Sequence, residues 1–313
     1  MSLPLFYFPT TIVCVDDNAL MLKTLDTLIH SNIKQHQVKK FDNSGGALDF
    51  LKNNASGISN IQFLRSFVEH EYCDLTNHSP VDLEISKFSE LAENSNKVNE
   101  ISLLIVDYEM PGLNGIELCQ QLKDISAKKI LLTAHGDYQK ALNAFNNKLV
   151  DRFVVKGQND TQDNLVAYIK SLTHEYFDDI TAKLQAHLKV SGNLAVFDEI
   201  FIKFFNDLVL REQIKEYYLI DKNGSFLLIN SLGQHSYLLV HTDSSLDYFV
   251  EIYNEEPDAE KYVKQVEGRG LIPCFGPDIY PEKINMQEWG KYFCKPQILK
   301  GAHAAYYWNI VKA

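Results

Sequence analysis

The stretch LLIVDYEMPGLNGIEL, Leu103 to Leu118, decides the fold. It begins as an unbroken apolar run, meets Asp107, breaks on Met110-Pro111-Gly112, and then resumes with apolar residues at helical spacing. An apolar strand buried on both faces, followed by a helix, is the repeating unit of a parallel sheet covered by helices. The aspartate at the strand's carboxyl end needs a reason, because desolvation works against its charge.

The same unit recurs on both sides. Upstream, TIVCV (11–15) ends at Asp16-Asp17-Asn18 and leads to ALMLKTLDTLI, where Leu22, Leu25 and Ile29 share a face; QVKKF (37–41), Ser44-Gly45-Gly46 and the helix ALDFLKNN follow. Downstream come the helix 114–124, the strand KKILLTA (128–134), the helix YQKALNAFNN, the strand DRFVVK (151–156) and a helix from about residue 160. Five strand–helix units predict a doubly wound, five-stranded parallel sheet whose ligand site lies at the carboxyl ends of the strands. Residues 53–100, rich in Asn, Ser and Glu, are too long for an ordinary connection and read as an insertion with its own structure. Within it NIQFLRSFVEHEY and ISKFSELAEN look helical and VDLEIS extended.

If the first and third strands are neighbours, Asp16, Asp17 and Asp107 converge at one sheet edge, and their repulsion calls for a cation. Mg²⁺ suits such a set, since it takes one or two carboxylates and leaves positions for water and a phosphoryl oxygen. One carboxylate can then accept a phosphoryl group. Thr133 and Lys156, at the ends of the fourth and fifth strands, supply a hydroxyl and an ammonium on the same edge. Taken singly, an Asp-Asp after a strand is most often a helix cap, Lys156 a solvated lysine, and Thr133 a turn residue. Five such groups, each at the correct end of successive strands, reverse those odds.

VCVDDN, LLIVDYEMPGLNGIEL, ILLTA and FVVKG, in that order, resemble the receiver domain of bacterial two-component response regulators, over about residues 9–175 apart from the insertion. The resemblance implies a flavodoxin-like fold in which Asp107 is the phosphoacceptor for a cognate histidine kinase. It implies Mg²⁺ held by Asp16, Asp17, Asp107 and the backbone carbonyl of Glu109, with Asp17 the more direct ligand. Thr133 and Phe153 would be the switch pair and Lys156 the contact to the phosphoryl oxygens. Glu109 and His135 occupy positions where receivers tune the lifetime of the aspartyl phosphate. Receivers usually carry proline after the lysine, whereas Gly157 stands here, and the insertion at 53–100 is no part of the common receiver.

The rest of the chain changes character. Leu165, Ile169, Leu172, Tyr176, Ile180, Leu184 and Leu188 form one stripe, a core face or alternatively a dimerising or signal-relaying helix. Ser191-Gly192-Asn193 breaks it before a second helix with Ile200, Phe201, Phe204, Phe205 and Leu208. EYYLIDKNGSFLLINSLGQHSYLLVHT then alternates with period two around Asn223-Gly224 and Gly233, predicting hairpins. Two helical stretches, SSLDYFVEIY and PDAEKYVKQVEG, and a closing strand, AHAAYYWNIV, complete a smaller α+β domain with an antiparallel sheet, part of which resembles a PAS-like sheet. The expected organisation is a receiver at 9–160, a helical linker at 161–210 and an α+β output domain at 211–313.

Composition narrows the partners. The net charge is −11, and from residue 160 onward 15 Lys and Arg face 22 Asp and Glu, so DNA binding is not expected. No GGDEF, EAL, HD or HExxH signature follows residue 160, and the histidines are scattered, so the expected output is protein–protein interaction, not catalysis; a receiver-gated enzyme and a ligand sensor are the alternatives. Five cysteines without a CxxC pair fit a reduced, cytoplasmic protein, and no run is long and apolar enough to span a membrane. MSLPLFYFPTT, cut by Pro4 and Pro9, reads as an extended lead into the first strand.

Overall fold

The computed structural model describes residues 3–54, 64–66, 81–83, 85–190, 195–277 and 279–312. The chain divides into two units, one of Phe8–Gln62 and Asn94–Ile180, the other of Met1–Tyr7, Phe63–Glu93 and Thr181–Ala313. The division places residues 1–7 and 63–93 with the C-terminal part of the chain; the sequence sets 53–100 apart as an insertion within a receiver at 9–160.

The chain opens with a two-residue strand, β1 (Phe6–Tyr7), of the second unit. The first unit then runs through β2 (Thr11–Val15), α1 (Ala19–Asn32), β3 (Gln37–Phe41) and α2 (Ser44–Asn54). A short antiparallel pair, β4 (Leu64–Ser66) with β5 (Val81–Leu83), and α3 (Ser86–Glu93) belong to the second unit. The helix expected over NIQFLRSFVEHEY is replaced by strand at Leu64–Ser66, and its remaining residues lie outside the described ones. The extended piece and the helix expected after it are present as β5 and α3. The first unit resumes with β6 (Ile101–Asp107), α4 (Gly115–Gln121), β7 (Lys128–Thr133), α5 (Tyr138–Asn146), β8 (Arg152–Val155) and the start of α6 (Thr161–Val190).

The five strands of the first unit form a parallel sheet in the order β3-β2-β6-β7-β8. β2 and β6 are direct neighbours, with Val15 opposite Val106, so the residues that follow them emerge side by side. Alternate side chains of each strand point to opposite faces and build two core layers. Val13, Val15, Leu104, Val106 and Leu131 meet Ala47, Leu51, Leu118 and Ala141 on one face. Ile12, Cys14, Leu103, Ile105 and Ile130 meet Leu22, Leu25, Ile29, Leu165 and Ile169 on the other. Each fully buried Leu or Ile contributes roughly 1.5–3 kcal/mol. That is why the central strands read as unbroken apolar runs, whereas edge strand β3 has only Val38 and Phe41 partly covered.

The second unit is a six-stranded antiparallel sheet in the order β1-β9-β10-β11-β15-β14, counting β9 (Ile214–Leu219), β10 (Phe226–Asn230), β11 (His235–His241), β14 (Gln297–Lys300) and β15 (Ala305–Lys312). α7 (Glu199–Arg211) precedes it, α8 (Asp243–Tyr253) and α9 (Glu260–Glu267) follow β11, and a small ribbon pairs β12 (Ile272–Pro273) with β13 (Phe293–Cys294). Both expected hairpins are present. Asp221 Oδ1 accepts the backbone N–H groups of Asn223, Gly224 and Ser225 at 2.8, 3.0 and 3.0 Å, and Gly224 takes φ +99°. The edge strands β1 and β14 were not anticipated, and the N-terminal residues expected to lead into β2 instead extend this sheet, Phe6 pairing with Tyr218.

Asp198 anchors α7. Although fully buried, it caps the helix through the N–H groups of Ile200 and Phe201, and its other oxygen accepts from Ala302 N, His303 N and the Tyr306 hydroxyl at 2.7, 3.1 and 3.1 Å. Burial works against its charge, yet these donors together hold its carboxyl below the usual range.

Candidate functional site at the carboxyl edge of the parallel sheet

Asp16 and Asp17 follow β2, Asp107 ends β6, Thr133 ends β7 and Lys156 follows β8, so the register delivers all five to one edge. One carboxylate oxygen from each of Asp16, Asp17 and Asp107 lies within 4.8 Å of the others; Asp16 and Asp107 are buried and Asp17 is exposed. Lys156 Nζ bridges the two buried acids, 2.7 Å from Asp107 Oδ1 and 3.2 Å from Asp16 Oδ2. The local backbone frees the acids for this. Asn18, rather than either aspartate, caps α1 by accepting from Leu20 N and Met21 N, and the Asn18 N–H donates to Asp16 Oδ1 at 2.9 Å. Capping, the commonest use of an aspartate after a strand, is therefore already filled.

Asp107 is held in place from behind. The chain turns through Gly112, at φ +85°, and α4 starts with a reciprocal cap between Asn114 and Glu117. Gly115 then packs against the strand it has just left: a Cβ there would sit 2.2 Å from the Asp107 carbonyl oxygen and 2.9 Å from Leu131 Cδ1. Only glycine permits that approach. The Tyr108 N–H donates to Leu132 O at 2.8 Å, and Gly115 N–H to Tyr108 O at 2.9 Å.

Burial pushes the Asp107 carboxyl above its ordinary pKa, against the opposing pull of Lys156. For Lys156 burial is the largest single influence and pulls its pKa down, but Asp107 and Asp16 together outweigh it and the ammonium is held more tightly than usual. Three carboxylates against one ammonium leave a formal charge of −2 in a half-buried crevice. Three hard oxygen donors this close, with that residual charge, fit a small divalent cation such as Mg²⁺.

Thr133 is fully buried, its hydroxyl donating to the Ala134 carbonyl at 3.2 Å, and its own carbonyl accepts the Lys156 N–H at 2.8 Å. Phe153 is half-buried, edge-on to Tyr138 and Phe145 at centroid distances of 5.5 and 6.3 Å, beside a hollow of about 310 Å³ also lined by Arg152 and Tyr168. Glu109 and His135 are both exposed. Gly157 has φ +83°, which the fixed ring of proline could not adopt, so the loop after Lys156 follows a path of its own. Tyr108 and Lys140 were not singled out from the sequence; the Lys140 ammonium pairs with Asp137 at 2.9 Å and lies 5.2 Å from the centroid of the Tyr108 ring, which directly follows Asp107. An aromatic directly after Asp107 was the available signal.

Residues 72–170 match the family model of the response regulator receiver domain. The chain carries a receiver domain. The match starts inside the insertion and leaves out Asp16 and Asp17, which only the fold returns to the site. A solved structure of the Legionella pneumophila response regulator LqsR is similar along the full length, with 25% identity, a TM-score of 0.78 and coverage of 100% of this chain and 90% of that one. The adenylate cyclase from Rhodopirellula baltica is 21% identical, over 57% of this chain and 96% of its own, at a TM-score of 0.36. A receiver domain protein from Clostridium thermocellum is 18% identical, over 53% and 95%, at 0.34. No curated protein matches the chain. No helix among the described residues is long and apolar enough to cross a membrane.

Proposed function

We infer that the protein is a phosphorylation-dependent response regulator in which Asp107 accepts a phosphoryl group from a histidine kinase. The observation that carries this is Lys156 bridging Asp107 and Asp16 while Asp17 completes the carboxylate set. Mg²⁺ would be held by Asp16, Asp17, Asp107 and the Glu109 carbonyl, and would offset the charge of the incoming phosphoryl oxygens. The Asp107 carboxylate oxygen attacks phosphorus, the donor's leaving group departs in line, and Lys156 turns from its carboxylate partners to the new phosphoryl oxygens. Thr133 reports the group through its hydroxyl and the half-buried Phe153 ring follows inward. The similarity of the whole chain to LqsR, a response regulator, supports the same reading.

The second unit is the output. Its acidic balance and the hairpin sheet, read as PAS-like, favour action by protein–protein interaction over DNA binding or catalysis, in a bacterial cytoplasm, with a homodimer as one form of the response. Incubating the protein with acetyl phosphate and Mg²⁺, and measuring mass and oligomeric state, tests the proposal. The parent gains one labile phosphoryl group and Asp107→Asn gains none; a parent without that gain refutes it.

A further inference from the structure

The second unit brings two cysteines together. In the β12–β13 ribbon Ile272 lies opposite Cys294 and Pro273 opposite Phe293, and the ladder continues with the Cys274 N–H donating to Tyr292 O at 2.6 Å. Side chains alternate between the faces of such a ribbon. Phe275 and Phe293 go to the Trp289 cluster, at centroid distances of 5.8 Å each, while Cys274 and Cys294 join Ile272, Leu239 and Tyr307. There the two thiols share one face of the ribbon, Cys294 diagonal to Cys274 across the two strands and packed in the same apolar cluster. Both are free thiols, Cys274 buried and Cys294 half-buried. Cys14 and Cys119, by contrast, occupy opposite core layers of the receiver sheet.

We propose that Cys274 and Cys294 form a thiol–disulfide exchange site, closed to an intramolecular disulfide by a small disulfide of the glutathione type. The more exposed Cys294 thiolate attacks one sulfur of the small disulfide, giving a mixed disulfide and expelling one small thiolate. Burial pushes the Cys274 thiol up, so Cys274 gives up its proton only as it attacks the Cys294 sulfur, forming the protein S–S bond and expelling the second small thiolate. Each cysteine gives up one proton. The protein sulfurs together lose two electrons, and the small disulfide gains them as it becomes two thiols. Closure brings the sulfurs to about 2.05 Å. It also staples a loop of roughly 20 residues that contains Trp289, which should raise the melting temperature of the second unit by roughly 5–10 °C.

The test equilibrates the full-length protein with glutathione mixtures of increasing oxidation, traps free thiols by alkylation and maps the digest by mass spectrometry. The expected product is one Cys274–Cys294 cross-link with a loss of about 2 Da. It reverses in excess reduced glutathione and carries the rise in melting temperature, while Cys14 and Cys119 react with the alkylating agent only after unfolding. Cys294→Ser abolishes the cross-link, and Cys274→Ser arrests Cys294 as the mixed disulfide. A parent that stops at the glutathione adduct, that joins Cys294 to Cys73, or that leaves both thiols alkylatable in oxidised glutathione alone overturns the proposal. Asp107→Asn closes the disulfide as the parent does, which keeps this result separate from the phosphorylation experiment.

Discussion

Acidification should loosen the receiver through one histidine. His36 is 2% exposed; its Nδ1 faces the Thr10 N–H at 3.1 Å and the Thr10 hydroxyl at 3.0 Å, and that hydroxyl meets Ser102 Oγ at 2.6 Å. Burial penalises the imidazolium and lowers the His36 pKa from 6.5 to about 4. The unfolded chain therefore binds a proton at His36 near pH 6.5 that the folded chain refuses until about pH 4. Stability from this group is present above pH 6.5 and is lost as the pH falls through that window. At about 1.36 kcal/mol per pH unit the full window is worth about 3 kcal/mol, of which about 2 kcal/mol disappears between pH 7 and pH 5. Against a total of roughly 5–15 kcal/mol this is a large share. Both tryptophans, Trp289 and Trp308, lie in the second unit, so fluorescence would follow the wrong part of the chain. The assay is hydrogen exchange of the β2 and β6 amides, comparing the parent with His36→Asn, which keeps an acceptor but cannot titrate there. Carboxylates titrate in both proteins and cancel, so the parent should lose about 2 kcal/mol relative to the variant between pH 7 and pH 5. A difference that stays flat, or a His36 ring resonance titrating between pH 6 and 7, refutes the reasoning.

Three further outcomes are expected. Gly115→Ala, forced into the Asp107 carbonyl, should cost about 1–3 kcal/mol and slow the proposed phosphorylation as the strand carrying Asp107 shifts; unchanged stability and labelling would show that α4 can move freely. Mg²⁺ at ten times its dissociation constant should stabilise the receiver by about 1.4 kcal/mol, read in the same exchange assay, and Asp17→Asn should lose most of that gain. Asp198→Ala removes the cap of α7 and leaves Ala302 N and His303 N without their acceptor, so the second unit should lose about 3 kcal/mol or more in a urea titration followed by tryptophan fluorescence.

The receiver was legible because its signals are strong and local. Strands buried on both faces show as apolar runs, and each functional group sits one step beyond such a run, so the topology rule alone gathers Asp16, Asp17, Asp107, Thr133 and Lys156. The hairpins around Asp221 and Gly233 were equally plain, since turn chemistry marks them. β1, β12 and β13 could not be read, because two residues carry no periodicity. Nor does the sequence around Phe6 show that its partner is Tyr218, as long-range pairing leaves no local mark. Over NIQFLRSFVEHEY the apolar spacing suggested helix, yet Leu64–Ser66 pairs with Val81–Leu83; a tertiary partner overrode the local pattern. The packing of Lys140 against Tyr108 escaped for a similar reason, since the two lie on different elements.

The pairing of Phe6 with Tyr218 also sets a timetable. The five chain segments alternate between the units, so the polypeptide crosses from one to the other four times. At roughly 5–20 residues per second, a ribosome exposes β1 about 10–40 s before it finishes β9. Throughout that interval Leu3, Leu5 and Phe6, all buried in the finished fold, wait for the strand that Phe6 joins, while over its second half β2 and β6 are already available to each other. Vectorial synthesis thus favours a receiver that folds first, with the antiparallel sheet closing later around a segment made some time before its partner strand.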